Sequence, residues 1–198
     1  MKPLMISVSG IRGIVGESLT PDVATAYAAS FGMFCQGGRV IVGRDTRTSG
    51  EMMRHAVLAG LLSVGCDVLE VGIAPTPTIQ LAVEKNDVAG GIAITASHNP
   101  AEWNALKFFH RDGLFLDEVQ STLLRSIRDS WQVSYVHSDR VGKAKPLDGA
   151  IENHINAVLK NRLFDLSAIR KRNFKVAVDA VCGAGGMLLP QLLAEMGC

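Results

Sequence analysis

The chain has 198 residues, 47% of them hydrophobic and 20% charged, and a formal net charge of +1. That is the make-up of an ordinary folded chain of one domain or one and a fraction. Near-neutral charge argues against a broad nucleic-acid surface, and no apolar run approaches the length of a membrane span.

Four widely spaced cysteines, Cys35, Cys66, Cys182 and Cys198, form no C-x-x-C and no Cys/His cluster. Free, mostly buried thiols in a reducing cytoplasm are the simplest expectation. The amino terminus is apolar only briefly before Ser7, Ser9, Gly10 and Arg12, unlike a secretory signal.

In chain order, Ser9-Gly10-Ile11-Arg12-Gly13-Ile14-Val15-Gly16 comes first. Its glycines allow tight turns or close approach to a ligand. Arg12 offers a planar fork suited to phosphate, or is a solvated arginine on a surface turn. Thr20-Pro21-Asp22 opens an Ala-rich helix to about Cys35, with Thr20 as N-cap and Pro21 at the first helical position. Val40–Val42 reads as a short buried strand. The loop after it holds Arg44, Asp45 and Arg47, either neighbours of a site or an ion-pair network; structural roles are favoured for Asp45 and Arg47. Ser49 is a candidate N-cap for a helix from Gly50 to Val64, ended by Gly65 at C′. A strand over Cys66–Val71 and a helix from Pro75–Thr78 to about Asn86 follow.

Gly90-Gly91-Ile92-Ala93-Ile94-Thr95-Ala96-Ser97-His98-Asn99-Pro100 carries the most information. A buried strand stops abruptly, and Pro100 forbids a ladder hydrogen bond and biases Asn99 away from the α region. Ser97 therefore stands on a bend at the carboxyl end of a strand, where open α/β sheets bind ligands. A hydroxyl displayed there beside an imidazole is a candidate nucleophile; an ordinary polar turn is the competing reading.

Beyond it, Leu106–Phe109 is extended, Arg111-Asp112-Gly113 turns, and a charged amphipathic helix spans about Asp117 to Ser130. Residues 132–147 are polar and mixed, and a domain boundary is placed there, giving 1–145 and 146–198. A helix over about Leu147–Asn161, a strand over Phe174–Val178, a Gly-rich turn at Cys182–Gly186 and a helix over Leu188–Met196 complete the pattern. Strands separated by helices predict an α/β fold: a three-layer α/β/α domain with a mixed sheet, plus the start of a second, similar domain. A strand and crossover helix with no returning strand leave apolar faces uncovered, so the chain is expected to be a portion of a longer one.

T-A-S-H-N-P resembles the active-site serine loop of the α-D-phosphohexomutases. Three further stretches resemble that family in the same order. They are Gly10-Ile11-Arg12-Gly13, Val42-Gly43-Arg44-Asp45-Thr46-Arg47-Thr48-Ser49-Gly50, and Trp103-Asn104-Ala105-Leu106-Lys107. The last has Ala105 where most relatives have glycine, a variant similar to the phosphoglucosamine mutases. Phe174–Gly186 resembles the opening of the family's second domain.

The resemblance implies interconversion of hexose 1- and 6-phosphates through a phosphoserine and a hexose bisphosphate, with Mg²⁺ as cofactor. It implies Ser97 as phosphoryl carrier and, through its phosphate, a metal ligand. Arg12 and Lys107 would stabilise phosphoryl charge or assist proton transfer, and His98 would act as acid/base or as a structural hydrogen-bonder. Asn99 and Arg44 would border the phosphate. The family's D-G-D-x-D metal motif does not occur in this sequence.

Two other readings stay open. One is a sugar-phosphate-binding or regulatory module without catalysis. The other is a serine hydrolase, which adjacent Ser-His and the missing G-x-S-x-G elbow disfavour.

Overall fold

The computed structural model describes residues 3–130 and 133–198; Gln132, where the polar stretch begins, lies outside them. The helices are α1 (Pro21–Phe34), α2 (Gly50–Ser63), α3 (Thr76–Lys85), α4 (Glu118–Asp129), α5 (Ala150–Leu159), α6 (Leu166–Lys171) and α7 (Gly185–Glu195). The strands are β1 (Met5–Ser7), β2 (Gly10–Ile14), β3 (Val40–Arg44), β4 (Val68–Ile73), β5 (Gly90–Ile94), β6 (Trp103–His110) and β7 (Ala144–Pro146). They form one mixed sheet in the order β1-β2-β6-β5-β3-β4-β7. β3 pairs in parallel with both β4 and β5, and β6 runs antiparallel between β5 and β2.

The period-2 alternation of strand side chains divides the core into two layers. Val40, Val42, Ile92, Ile94, Leu106 and Phe108 face one side, packed with Tyr27 and Phe31 of α1, Val57 and Leu61 of α2 and Leu124 of α4. Ile41, Ala93 and Phe109 face the other, under Ile79 and Val83 of α3. Each Val, Leu, Ile or Phe side chain among them contributes about 1.5–3 kcal/mol by leaving water. α5 packs outside α3, not on the sheet.

Helix ends follow their sequence signals. Pro21 sits in the first turn of α1, behind Thr20 at N-cap. α2 ends in a Schellman motif: Gly65 (φ +86°) donates to Leu62 O and Cys66 to Leu61 O. Asp117 and Gln120 close a capping box on α4.

Several expectations need correction. The segment at Gly10–Ile14 is a strand, not a loop, because β6 offers it an antiparallel edge. Gly10 serves close approach of two backbones rather than of a ligand: a Cβ there would collide with the Leu106 carbonyl. β4 begins two residues later than predicted, because Cys66 is consumed by the C-cap of α2. The Ser49 hydroxyl makes no cap bond; it accepts from Asn104 Nδ2 at 2.9 Å. Two of the four thiols, Cys182 and Cys198, are exposed. Phe174–Val178 forms no strand among the described residues, and its Phe174, Val176 and Val178 side chains are exposed.

Candidate active site at the serine loop

β3 and β5 are adjacent and parallel, so their carboxyl ends lie side by side, and the chain leaves them in opposite directions: β3 to β4 through α2, β5 directly to β6. Such divergence opens a crevice at the sheet edge. The loop after β3 (Asp45–Ser49) and the loop after β5 (Thr95–Pro100) meet there.

Ser97 is held at φ +57°, in the left-handed region. For a non-glycine residue this costs on the order of 1–2 kcal/mol, and it persists only where surroundings impose it. Two loops impose it. Ser97 N donates to Thr95 Oγ1 (3.2 Å), and Thr95 Oγ1 donates to Asp45 Oδ2 (2.7 Å). Asp45 also accepts from the backbone N of Arg47 (3.0 Å) and from Arg47 Nε (3.1 Å). The Arg47 guanidinium reaches across to the carbonyls of Ser97, Asn99, Pro100 and Trp103, at 2.7–2.9 Å.

A cavity of about 300 Å³ opens beside Ser97 and is lined by Arg12, Ser97, His98, Ala105 and Lys107, among others. Sheet register brings its cations together. Gly10 pairs with Lys107 and Arg12 with Ala105 across β2 and β6, so Arg12 and Lys107 rise from the same face. α3 covers that face at β3, β5 and the Phe109 end of β6, and leaves it uncovered at β2 and around Ala105 and Lys107. Ala105, opposite Arg12, is small enough to leave the space open.

The lining contains two cations and no carboxylate. Half-buried Lys107 titrates below the usual lysine range, first because burial penalises its charge and then because Arg12 repels it; Asp45 opposes the shift. Its Nζ also lies 5.9 Å from the centre of the Phe115 ring.

His98 Nδ1 lies 3.4 Å from Ser97 Oγ, a long hydrogen bond. Among the described residues no carboxylate bonds His98, so the orienting member of a hydrolase triad is missing. Asn99 holds Arg12: Arg12 Nη1 donates to Asn99 Oδ1 at 2.9 Å.

Arg44 stands apart from the other predicted residues. It donates to the Asp45 carbonyl (3.1 Å), pairs with Glu51 (3.0 Å) and lines neither cavity at the serine loop. The second of these, about 490 Å³, lies between Arg47, Thr76, His98 and Asn99 and the turn at Val181–Ala184. Sequence reading missed Thr95 and that turn. Thr95 looked like one more strand residue; Val181 and Gly183 lie 84 or more positions from Ser97, and only Thr46 Oγ1 donating to Cys182 O (2.8 Å) marks their approach.

Among the described residues no group of three or more His, Cys, Asp or Glu side chains could hold a metal ion. Asp45, the nearest carboxylate in the network, is occupied by Thr95 and Arg47. The donors present therefore do not fit Mg²⁺, and no chemistry is routed through it.

Comparison with known proteins identifies the family of this chain. Residues 4–132 match the family model described as phosphoglucomutase/phosphomannomutase, alpha/beta/alpha domain I. A phosphoglucomutase/phosphomannomutase of Thermococcus kodakarensis is 43% identical over 194 residues, covering 96% of this chain and 42% of that protein. A protein of Pyrococcus abyssi named as a probable phosphoglucosamine mutase is 37% identical, covering 96% and 40%. The crystal structure of a phosphoglucomutase/phosphomannomutase family protein from Burkholderia thailandensis superposes with a TM-score of 0.80 at 28% identity, covering 98% of this chain and 43% of that one. The chain thus spans about two fifths of the length of the relatives it matches. It belongs to the phosphoglucomutase/phosphomannomutase family, of which it contains the first α/β/α domain.

Proposed function

We propose that this chain carries the phosphoserine of a phosphohexomutase, with Ser97 as the group that exchanges a phosphoryl between O1 and O6 of a hexose monophosphate. The observation that supports it best is the setting of Ser97: a hydroxyl held in a left-handed turn, in a cavity lined by two cations and no carboxylate.

Phosphoryl transfer needs alignment and neutralisation of the equatorial oxygens more than covalent chemistry. Arg12, anchored by Asn99, offers a planar fork for two of those oxygens. Lys107 supplies a second positive charge, and its lowered pKa suits it to take or return a proton. In the forward step the Ser97 Oγ–P bond breaks as the sugar hydroxyl oxygen bonds phosphorus. The hydroxyl proton leaves to a base, and Lys107 or His98 returns a proton to the serine oxygen. The bisphosphate then gives its other phosphate back to Ser97 by the reverse sequence.

Mg²⁺ belongs to this proposal only as a cofactor whose ligands, apart from a phosphate on Ser97, are not among the described residues. We divide the chain at about 145/146, and place the protein in the cytoplasm, where its exposed thiols would stay reduced.

The test is peptide mapping of the protein as the cell makes it, with turnover assays on glucosamine, glucose and mannose phosphates. Phosphate on Ser97, and loss of turnover in Ser97→Ala, are expected. Phosphate at another residue with Ser97→Ala still active refutes the proposal. The 198 residues alone are expected to turn over none of these sugars, because they bring no carboxylate cluster for a metal; robust conversion by them would refute that part.

A further inference from the structure

We infer that Arg47 is the positioning residue of the serine loop: it sets the backbone conformation that presents the Ser97 hydroxyl, and it does not bind phosphate itself. This rests on the reading of Ser97 as phosphoryl carrier.

An arginine beside a candidate phosphoserine invites assignment as an anion ligand. The hydrogen bonds exclude that. A guanidinium has five N–H donors, and here every one has an acceptor inside the protein. Nε donates to Asp45 Oδ2 (3.1 Å), Nη1 to Pro100 O (2.7 Å) and Trp103 O (2.9 Å), and Nη2 to Ser97 O (2.9 Å) and Asn99 O (2.7 Å). The side chain is only 12% exposed. No donor remains for a substrate, so the anion falls to Arg12 and Lys107.

The four carbonyls explain why a cation is required. They bracket Ser97–Trp103, and their negative ends converge on one point; uncompensated, they would repel one another and any phosphate brought to the loop. Arg47 gathers them on a planar fork. Asp45 aims the fork from below and accepts from Thr95 Oγ1, which in turn accepts from Ser97 N. Ser97 is thus gripped at both its N–H and its C=O, which is what holds φ at +57°. Lysine at this position would keep the charge but offers three donors from one atom and no fork.

The test compares wild type with Arg47→Lys in the protein as the cell makes it. Two readouts are used: amide hydrogen exchange across residues 96–104, and uptake of phosphate on Ser97 from glucose 1,6-bisphosphate by intact mass. We expect exchange in 96–104 to quicken by about tenfold or more while Val40–Arg44 stays protected, and phosphate uptake to fall by about a hundredfold, the scale of a one-ångström misplacement. Millimolar guanidinium should restore uptake in Arg47→Gly, which loss of global stability alone would not allow.

If Arg47→Lys does not fold, Asp45→Asn replaces it. That change leaves the four carbonyl bonds in place and weakens only the hold of Asp45 on Arg47 Nε and Thr95 Oγ1, so a smaller change confined to the same amides is expected. Exchange as slow as wild type, or wild-type uptake in Arg47→Lys, overturns the inference. If wild type itself takes up no phosphate, the reading of Ser97 as carrier falls, and the exchange pattern still decides whether Arg47 sets the loop.

Discussion

Arg39-Val40-Ile41-Val42-Gly43-Arg44-Asp45 and Lys175-Val176-Ala177-Val178-Asp179 read alike: a cation, a β-branched run, an aspartate, then a polar turn and a helix. The first is the centre of the sheet, flanked by β4 and β5, with Val40, Ile41 and Val42 at 0–2% exposure. The second belongs to no sheet among the described residues, with Val176 49% and Val178 45% exposed. β-propensity describes fitness for a pleated, half-buried surface; it does not create the surface. The two aspartates differ for the same reason. Asp45 is locked between Thr95 and Arg47 and braces the serine loop. Among the described residues Asp179 accepts from Val181 N, at 2.8 Å, in an exposed turn where Val181 and Cys182 have positive φ.

The widest gap should appear in amide exchange. Val40–Arg44 should exchange only on global opening, slower by about three orders of magnitude or more than Val176–Val178, whose N–H groups have no backbone acceptor among the described residues. Equal protection of the two stretches, measured by NMR, would mean that the second has a partner and would break the comparison.

Charge insertion comes next. Val42→Asp buries an unpaired carboxylate and should cost more than about 4 kcal/mol, whereas Val178→Asp should stay within about 0.5 kcal/mol. Urea denaturation of both variants measures this, and a costly Val178→Asp would count against the exposed assignment.

The aspartates sharpen the contrast further. Asp45→Ala leaves Arg47 without its counterion and should cost about 3 kcal/mol, against about 0.5 kcal/mol for Asp179→Ala. Similar costs for the two would show that burial does not separate them.

The smallest effect concerns Lys107, on a paired strand. Its lowered pKa makes the neutral amine more abundant than in an ordinary lysine at pH values between the lowered value and about 10.4. Its acylation should therefore rise with pH earlier than that of a free lysine, and Arg12→Gln should move the profile back up by removing the repulsion. An unmoved profile in Arg12→Gln would show that burial acts alone. The same shift bears on stability. The folded state binds the Lys107 proton less tightly than the unfolded chain, so its contribution becomes more favourable as pH rises through the lowered value towards 10.4.

Much of this fold was legible locally. Pro21, Gly65 and Asp117 mark helix ends because capping involves groups a few residues apart. The unbroken apolar run Val40–Val42 and the abrupt stop at Ser97 name a buried strand and a bend, because burial and proline geometry act on the residue itself. The short strands Gly10–Ile14 and Ala144–Pro146 were not legible. Each is defined by an edge supplied from afar, β6 for the first and β4 for the second.

The site divides in the same way. Sequence alone determined which chemical groups were on offer: a serine and histidine on a bend, and Arg12 and Lys107 as cations. The tertiary structure decided which of them meet. Pairing of β2 with β6 set Arg12 and Lys107 on one open face, while Arg44 was drawn off to Glu51. It also decided that Arg47 directs four of its five donors to carbonyls of the serine loop 50 or more positions away, and the fifth to Asp45. Hydrogen bonds and charge act over a few ångströms of space, and only the assembled sheet makes residues 12, 47, 97 and 107 neighbours at that scale.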